Sequence, residues 1–581
     1  MRRTFEMNNF TAAALISLQM APVSGAQPVE YEVLATTGEQ AVGLPAGWVF
    51  SEIHQPFLDE FGRATFLTHS GSGDVVYRTD GVEPEVLVRT GVTPQGYEPG
   101  DLITEIRSLD HVNRFGDLGL QAWIGFDDGS PSLLGTWTYS DDLGLRGVSF
   151  GGLRAPGTMG IMCSGQSTWY QYWMSNAGHF AISNRLCGAN STDYQMTWAS
   201  EANGENLGLV STGKGPVPLI QFAGYNFMYP PVGINRQGTL VYEAFIQGTN
   251  ITTGNNHLFY AWNAQDGFSI VAREGDPVPG FPPTVTYDIL YDARINDLGH
   301  TMISCKVKGP GITEETDHVI LSDRDGNGLE HVYREGIQAP GFTPGVKITR
   351  ISNRERVHFN NKSQIAFMGH VTGASAPSGD EEYYWAEVGS SGLKLVAHTG
   401  QVVPGFDEPH VLTDFVSFIQ GTGDGPEPVF TDSGRLAFWG QVEGPVPGGT
   451  DRYNRYFISD AAGELRVLLP AGTQLDVSSE PGSPDIRTVE SSSFRLSGSA
   501  NDADQVAALA YFTDGSSAVV LVSYADACLA DVNGDGIASP ADFSAWVAAY
   551  NASAPECDQN GDGQCTAADF SAWVTNYNSG C

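Results

Sequence analysis

One turn motif, repeated eight times, constrains this 581-residue chain more than any other feature. The copies read "DEFGRATF" from Asp59, "NRFGDLGL" from Asn113, "SNAGHFAI" from Ser175 and "NRQGTLVY" from Asn235. They continue as "NDLGHTMI" from Asn296, "NNKSQIAF" from Asn360, "TDSGRLAF" from Thr431 and "NDADQVAA" from Asn501. Successive first positions lie 54 to 71 residues apart. Self-similarity at such a period marks a repeat architecture and overrides the count of about four domains that length alone suggests.

A second signature runs in phase with the first. It reads "VAREGDPVPGF" from Val271, "VYREGIQAPGF" from Val332 and "VAHTGQVVPGF" from Val396. Its glycine recurs at Gly38, Gly91, Gly213, Gly275, Gly336, Gly400 and Gly472, with Gly152 as a weaker counterpart. Each module carries the punctuation of four strands. An apolar stretch such as "TVTYDILYDARI" follows the Pro-Gly turn, and the Asn-x-x-Gly turn leads into an alternating run such as "RLAFWGQVEG". Runs such as "RYFISD" and "ELRVLLPAG" complete the module. Asn and Gly suit the turns because both tolerate positive φ, and alternation buries one face of a strand.

No module holds an amphipathic helix of useful length, which excludes helical solenoids, and the period is too long for one β-helix coil. Four-stranded units repeated radially are propeller blades. The expectation is a mainly β fold, an eight-bladed β-propeller over residues 27–524. The stretch "VEYEVLATTG" near the start matches a fourth strand, whereas the eighth module stops after a third strand in "SSAVVLVSYA". The N-terminal strand is therefore expected to complete the last blade and close the ring. A seven-bladed ring with an accessory sheet is the alternative, because modules 1, 7 and 8 depart from the common length. The module resembles the tandem repeat named after its Asn-x-x-Gly-x-x-Ala-Phe motif, found in secreted bacterial proteins with varied C-terminal anchors. Only the copies at Asn360 and Thr431 keep the final Ala-Phe, and Ser363 and Asp504 replace the motif glycine. The resemblance implies no catalytic activity.

Residues 525–581 carry a different, duplicated pattern. "DVNGDGIASPADFSAWVAAYN" from Asp531 returns as "DQNGDGQCTAADFSAWVTNYN" from Asp558. Calcium needs six or seven oxygens around a tight turn. The first loop offers Asp531, Asn533, Asp535, the Ile537 carbonyl, Ser539 and Asp542; the second offers Asp558, Asn560, Asp562, the Gln564 carbonyl, Thr566 and Asp569. Gly536 and Gly563 provide the sharp bend. Two Ca2+ sites are expected. Ser539 or Thr566 should cap a helix with Asp542 or Asp569 three residues on, and Pro540 fits the first helical position. Phe543, Trp546, Val547 and Tyr550, with Phe570, Trp573, Val574 and Tyr577, give each helix one apolar face for the other to cover.

Paired loop–helix units of this length resemble type I dockerins, which dock onto cohesin domains through residues near loop positions 10 and 11. Those positions hold Pro540-Ala541 and Ala567-Ala568, without the hydroxyl pair of cellulosomal members. The terminal Gly580-Cys581 is closer to dockerin-type anchoring domains of some environmental bacteria. The resemblance implies a cohesin-like or other extracellular anchoring partner.

Residues 1–26 read as a signal peptide: Arg2 and Arg3, an apolar run over Phe10–Met20, then Ser24-Gly25-Ala26. A secreted, extracellular or cell-surface product is expected, with no membrane span. The formal charge of -37 disfavours nucleic acid and anionic lipid as partners. Seven cysteines fit an oxidising compartment. Cys528, Cys557, Cys565 and Cys581 can make two bridges and Cys163 with Cys187 a third, which leaves Cys305 as a buried thiol.

The chain shows no P-loop, dinucleotide fingerprint or His-Glu-x-x-His. Asp323, Asp325 and Asn327 could ligate a cation but sit where other modules turn between strands. The aromatics Trp169, Tyr172 and Trp173 could stack on sugars, although strands favour aromatics in any case. The leading expectation is a non-enzymatic binding or structural protein displayed through the C-terminal module. A carbohydrate-binding propeller of a polysaccharide-degrading assembly, and a propeller hydrolase or lyase, are the alternatives. No catalytic residue is assigned.

Overall fold

The computed structural model describes residues 29–579, except 71–72, 83, 157, 159–160, 163–170, 185, 188–195, 213–216, 222, 353–356, 377–380, 389–391, 404–405, 407–408, 416–427, 447–448, 460–462, 464, 479–482, 494–497, 499, 502, 504, 525–529, 531, 533–538, 553, 555–556, 558 and 560–564. The signal peptide and Gly580-Cys581 lie outside that range.

The eight modules form eight antiparallel sheets in chain order, the blades of a β-propeller. In the fifth, Thr286–Ile295, Thr301–Lys308, His318–Ser322 and Glu330–Arg334 pair in simple up-and-down sequence. First strands of successive blades touch one another from blade 1 through blade 7, so they are innermost. The apolar cores lie between blades, not within them. Val319, Leu321 and Tyr287 of blade 5 pack with Val241 and Phe259 of blade 4, while Met302 and Ile320 on the other face meet Phe367 and Trp385 of blade 6. Alternation thus feeds both faces of every sheet, each buried against a different neighbour. Cys305 is fully buried in one such layer, and burial pushes its thiol pKa up.

The ring closes as the two ends of the repeat array require. Val29–Thr36 pairs antiparallel with Ser517–Tyr524, with Val29 opposite Tyr524 and Thr36 opposite Ala518. The first described strand is therefore the outer strand of blade 8, and it covers the edge of Ser517–Tyr524. Among the described residues no helix is long and apolar enough to cross a membrane.

The motif turns owe their composition to hydrogen bonding. In blade 5, Asn296 Oδ1 accepts the amides of Leu298 and His300 at 3.1 and 3.0 Å. Asn113, Asn235, Asn360 and Asn501 repeat the pattern, and Ser175 and Asp59 reproduce it with other oxygens. Any short side chain with an acceptor can make this turn. The fourth position is left-handed in each of the seven copies where it is described, with φ of 88° at Gly299 and 61° at Ser363.

Candidate functional site

Three places in the described structure gather polar side chains beyond what the blades need. The first is the ring of motif turns at one end of the axis. Among the described residues, the one after a motif Asn links blade to blade. Asp297 Oδ1 accepts the Arg236 amide at 2.9 Å, Asn361 Oδ1 the Asp297 amide at 2.9 Å, and Asp432 Oδ1 the Asn361 amide at 2.6 Å. Arg114 of blade 2 reaches Asp432 of blade 7 at 3.3 Å and Glu60 of blade 1 at 3.3 Å. Blades 2 and 7 are not neighbours, so this pair ties the ring across its axis. Carboxylates and arginines do converge here, as a hydrolase would require. Yet both oxygens of Asp432, and both of Asp297, already accept hydrogen bonds from other blades. That arrangement locks the ring.

The second place is the C-terminal pair of helices, α1 (Pro540–Ala552) and α2 (Ala567–Ser579). Both start as their caps dictate. Ser539 N and Oγ donate to Asp542 Oδ2 at 2.8 and 3.1 Å, and Thr566 N and Oγ1 donate to Asp569 Oδ2 at 2.7 and 3.2 Å. Both closing carboxylates are fully buried. The remaining loop positions, Asp531, Asn533, Asp535, Ile537, Asp558, Asn560, Asp562 and Gln564, lie outside the described residues.

The two units pack through a reciprocal exchange. Trp546 of α1 donates its indole N–H to Cys557 O, just before the second loop, and Trp573 of α2 donates to Ala530 O, just before the first. Phe543 meets Trp573 at 5.3 Å between ring centroids, and Phe570 meets Trp546 at 5.5 Å. The apolar faces bury each other only in part. Trp546 and Trp573 are buried, but Phe543 and Phe570 stay 40% and 41% exposed, and Val547 and Val574 37% and 36%. Two short helices touching at one crossing cannot cover a full apolar stripe. A Cys557–Cys565 disulfide joins the end of the inter-helix segment to the second loop. The Cys528, Cys581 and Cys163 thiols lie outside the described residues.

The third place escaped the sequence reading. Glu52, His54 and His69 each bring a potential ligand atom within 4.8 Å of the others. Glu52 opens the inner strand Glu52–Ile53 of blade 1 and His54 follows it, its amide bonded to Leu67 O at 2.9 Å, while His69 stands directly opposite Glu52 on the next strand. The signal was strand pairing, which no local spacing reveals. Of the other candidates, Asp323 caps the Thr301 amide within an ordinary turn that also bonds Gly326 N to Asp323 O at 2.7 Å. Arg324, next in that turn, pairs with Glu387 of blade 6 at 2.8 Å. Asp325 and Asn327 belong to that turn as well. Trp169 and the Tyr172 side chain lie outside the described residues, and Trp173 is half-buried.

Residues 21–336 and 321–526 match a family described as "Family of unknown function (DUF7453)". The chain belongs to that family. The match ends two residues past the last propeller strand, so the α1–α2 unit is not part of it. No curated protein matches the chain. Among solved structures it is similar to the acylaminoacyl peptidase of Pyrococcus horikoshii, at 11% identity and a TM-score of 0.32, covering 75% of this chain and 56% of that one. The chain thus spans little more than half of that enzyme. It is also similar to the periplasmic gluconolactonase of Pseudomonas aeruginosa, at 13% identity and a TM-score of 0.27, covering 76% and 99%. An α-L-arabinofuranosidase of Fusarium graminearum follows at 11% identity and a TM-score of 0.22, covering 59% and 94%.

Proposed function

We propose that this chain is an extracellular binding platform, an eight-bladed propeller displayed through a calcium-loaded, dockerin-type module at residues 525–581. The observation that carries the reading is the duplicated apolar surface of α1 and α2. Phe543 with Phe570, and Val547 with Val574, remain exposed at matching positions of the two units. Large apolar side chains left in the same place twice mark a surface kept for a partner. The donor set supports the metal. Asp531, Asn533, Asp535, Asp542 and their counterparts Asp558, Asn560, Asp562 and Asp569 are hard oxygen ligands that suit Ca2+. Calcium would neutralise the crowded carboxylates of each loop and so couple binding to folding. The partner that fits is a cohesin-like domain presenting an apolar surface.

The test uses the full chain. Calcium titration calorimetry should count two sites, each lost singly in D542N and D569N. Surface plasmon resonance over a panel of cohesin domains should show binding with Ca2+ that EDTA abolishes. F543A/F570A should lose that binding while keeping both calcium sites. Absence of calcium uptake, no binding across the panel, or binding indifferent to F543A/F570A would each overturn the anchoring reading.

A further inference from the structure

Glu52, His54, His69 and Asp74 form a row across three strands of blade 1, at the end opposite the Asp59–Gly62 turn. Residues two apart on a strand share a face, and directly opposed residues point the same way. Glu52 and His54 follow the first rule through the backbone bond that carries the pairing one residue past the Glu52–Ile53 strand, His54 N to Leu67 O at 2.9 Å. Glu52 with His69, and His69 with Asp74, obey the second. The two imidazoles lie edge to face at 4.9 Å between centroids.

Asp74 makes this more than a surface patch. Its Oδ1 lies 2.6 Å from His69 Nδ1, and its Oδ2 accepts the Ile106 amide of blade 2 at 2.9 Å. The carboxylate is thereby fixed between two blades and fixes the tautomer of His69. With Nδ1–H donated, the Nε2 lone pair is the one turned to a ligand. A carboxylate behind a histidine is the support that metal-bound imidazoles use.

We propose that Glu52, His54 and His69 are the protein ligands of a single zinc-class site, with Asp74 as the residue that positions His69. Two imidazole nitrogens and one carboxylate oxygen, with a fourth position left to solvent, is an open tetrahedral donor set for Zn2+. Nitrogen-rich sites of this kind select Zn2+ or Co2+ over the Ca2+ that the C-terminal loops suit. Ligands around Zn2+ stand about 3.3 Å apart, given bonds near 2 Å. The exposed Glu52 and His54 side chains close that gap on binding, while His69 is held by Asp74. An open position would let the metal bind an anionic or carbonyl-bearing ligand at this end of the propeller.

Co2+ titration of the untagged full chain, with Ca2+ in excess to occupy the oxygen loops, tests the assignment. One equivalent should give the strong visible absorption of four-coordinate Co2+, and Zn2+ should displace it. H54A and H69A should lose the band, and D74N should weaken binding about 10- to 100-fold while keeping a one-to-one endpoint. Circular dichroism of H54A, whose side chain is exposed, should match the parent. No saturable Co2+ binding, or a band unchanged in H54A and H69A, overturns the site. Unchanged affinity in D74N overturns the role of Asp74.

Discussion

His257 and His318 hold the same position in adjacent blades, and the fold gives them opposite protonation preferences. His257 Nε2 lies 2.7 Å from Glu243 and Nδ1 3.4 Å from Glu274, all three side chains being buried. Burial pulls its pKa down, but the two carboxylates outweigh that and raise it. In blade 5 the place of Glu243 is taken by Ser304, which meets His318 Nε2 at 2.8 Å. Glu335, the counterpart of Glu274, instead accepts the Ile351 amide at 2.8 Å. Burial and the nearby Lys306 charge therefore push His318 down to about 3, against a weaker upward pull from the Ile351 backbone.

The signs lead to a pH profile. A histidine whose folded pKa is depressed stays neutral while the unfolded chain protonates near 6.5, so stability falls as pH drops from there toward about 3. His318 and His358, also near 3 through burial and the Arg294 charge, both act this way. His257 acts oppositely: its contribution is whole below about 6.5 and fades as pH rises through its raised folded value. H257Q leaves Glu243 and Glu274 buried without their cation and should cost about 3–5 kcal/mol near pH 6. Denaturant melts across pH should show the H257Q deficit shrinking toward alkaline pH and the H318Q profile flattening in acid. A deficit of H257Q that is constant with pH would refute the charged state.

The motif asparagines act as clamps, and blade 1 shows how to replace one. Asn296 Nδ2 donates to Asn360 O at 3.1 Å and Ser363 Oγ at 2.9 Å, which ties blade 5 to blade 6. N296D keeps the acceptor for the turn but removes that donor and buries a charge, so it should destabilise by about 2–4 kcal/mol. Blade 1 has Asp59 in this place and answers it with Arg63, 2.6 Å away, whose Nη2 reaches Phe115 O of the next blade at 3.1 Å. His300 occupies the Arg63 position in blade 5. N296D/H300R should recover at least half of the loss in Tm, and failure to do so would show that the clamp tolerates only an amide.

Ring closure makes another measurable demand. Deleting residues 29–36 bares the Ser517–Tyr524 strand, which pairs with them along its length. An uncovered apolar strand edge is a template for intermolecular pairing. The truncated chain should show a lower Tm and concentration-dependent association in analytical ultracentrifugation. Adding the excised segment as a peptide should reverse part of both. A monomer with unchanged Tm would mean that the closing strand is dispensable.

The ring itself was legible because its signal is redundant. Eight turns in phase mark a repeat, and four strands per period with no helix separate it from a solenoid. The orphan strand at Val29 could be matched to the orphan edge at Tyr524 by counting alone. What stayed hidden depends on which strands meet. Glu52 and His69 become neighbours only through a pairing register, and no local spacing carries that information. The opposite fates of His257 and His318 were equally invisible, since they turn on a Glu-to-Ser exchange at Glu243 and Ser304, far off in sequence. The α1 and α2 caps were readable because Ser539 and Asp542, or Thr566 and Asp569, meet within one turn. How much of their apolar stripe stays exposed was not, because that depends on the crossing of two helices.

Ser363 separates backbone strain from hydrogen bonding at a motif turn. It sits at φ 61°, where six sister copies carry glycine, and a side chain there costs roughly 1–2 kcal/mol. Glycine would relieve that strain. The serine hydroxyl, however, lies 2.9 Å from Asn296 Nδ2 and 2.8 Å from His300 Nδ1, both across the blade 5–blade 6 seam. Removing it loses two bonds worth about 1 kcal/mol each and leaves part of a buried amide donor's capacity unmet, which adds about 1 kcal/mol or more. Hydrogen bonding outweighs strain, so S363G should destabilise by about 1–2 kcal/mol even though it restores the consensus residue. S363A keeps the strain and loses the bonds, so it should be worse than S363G by roughly the strain itself. Urea unfolding of the three proteins gives both differences, and an S363G variant more stable than the parent would reverse the order of the two effects.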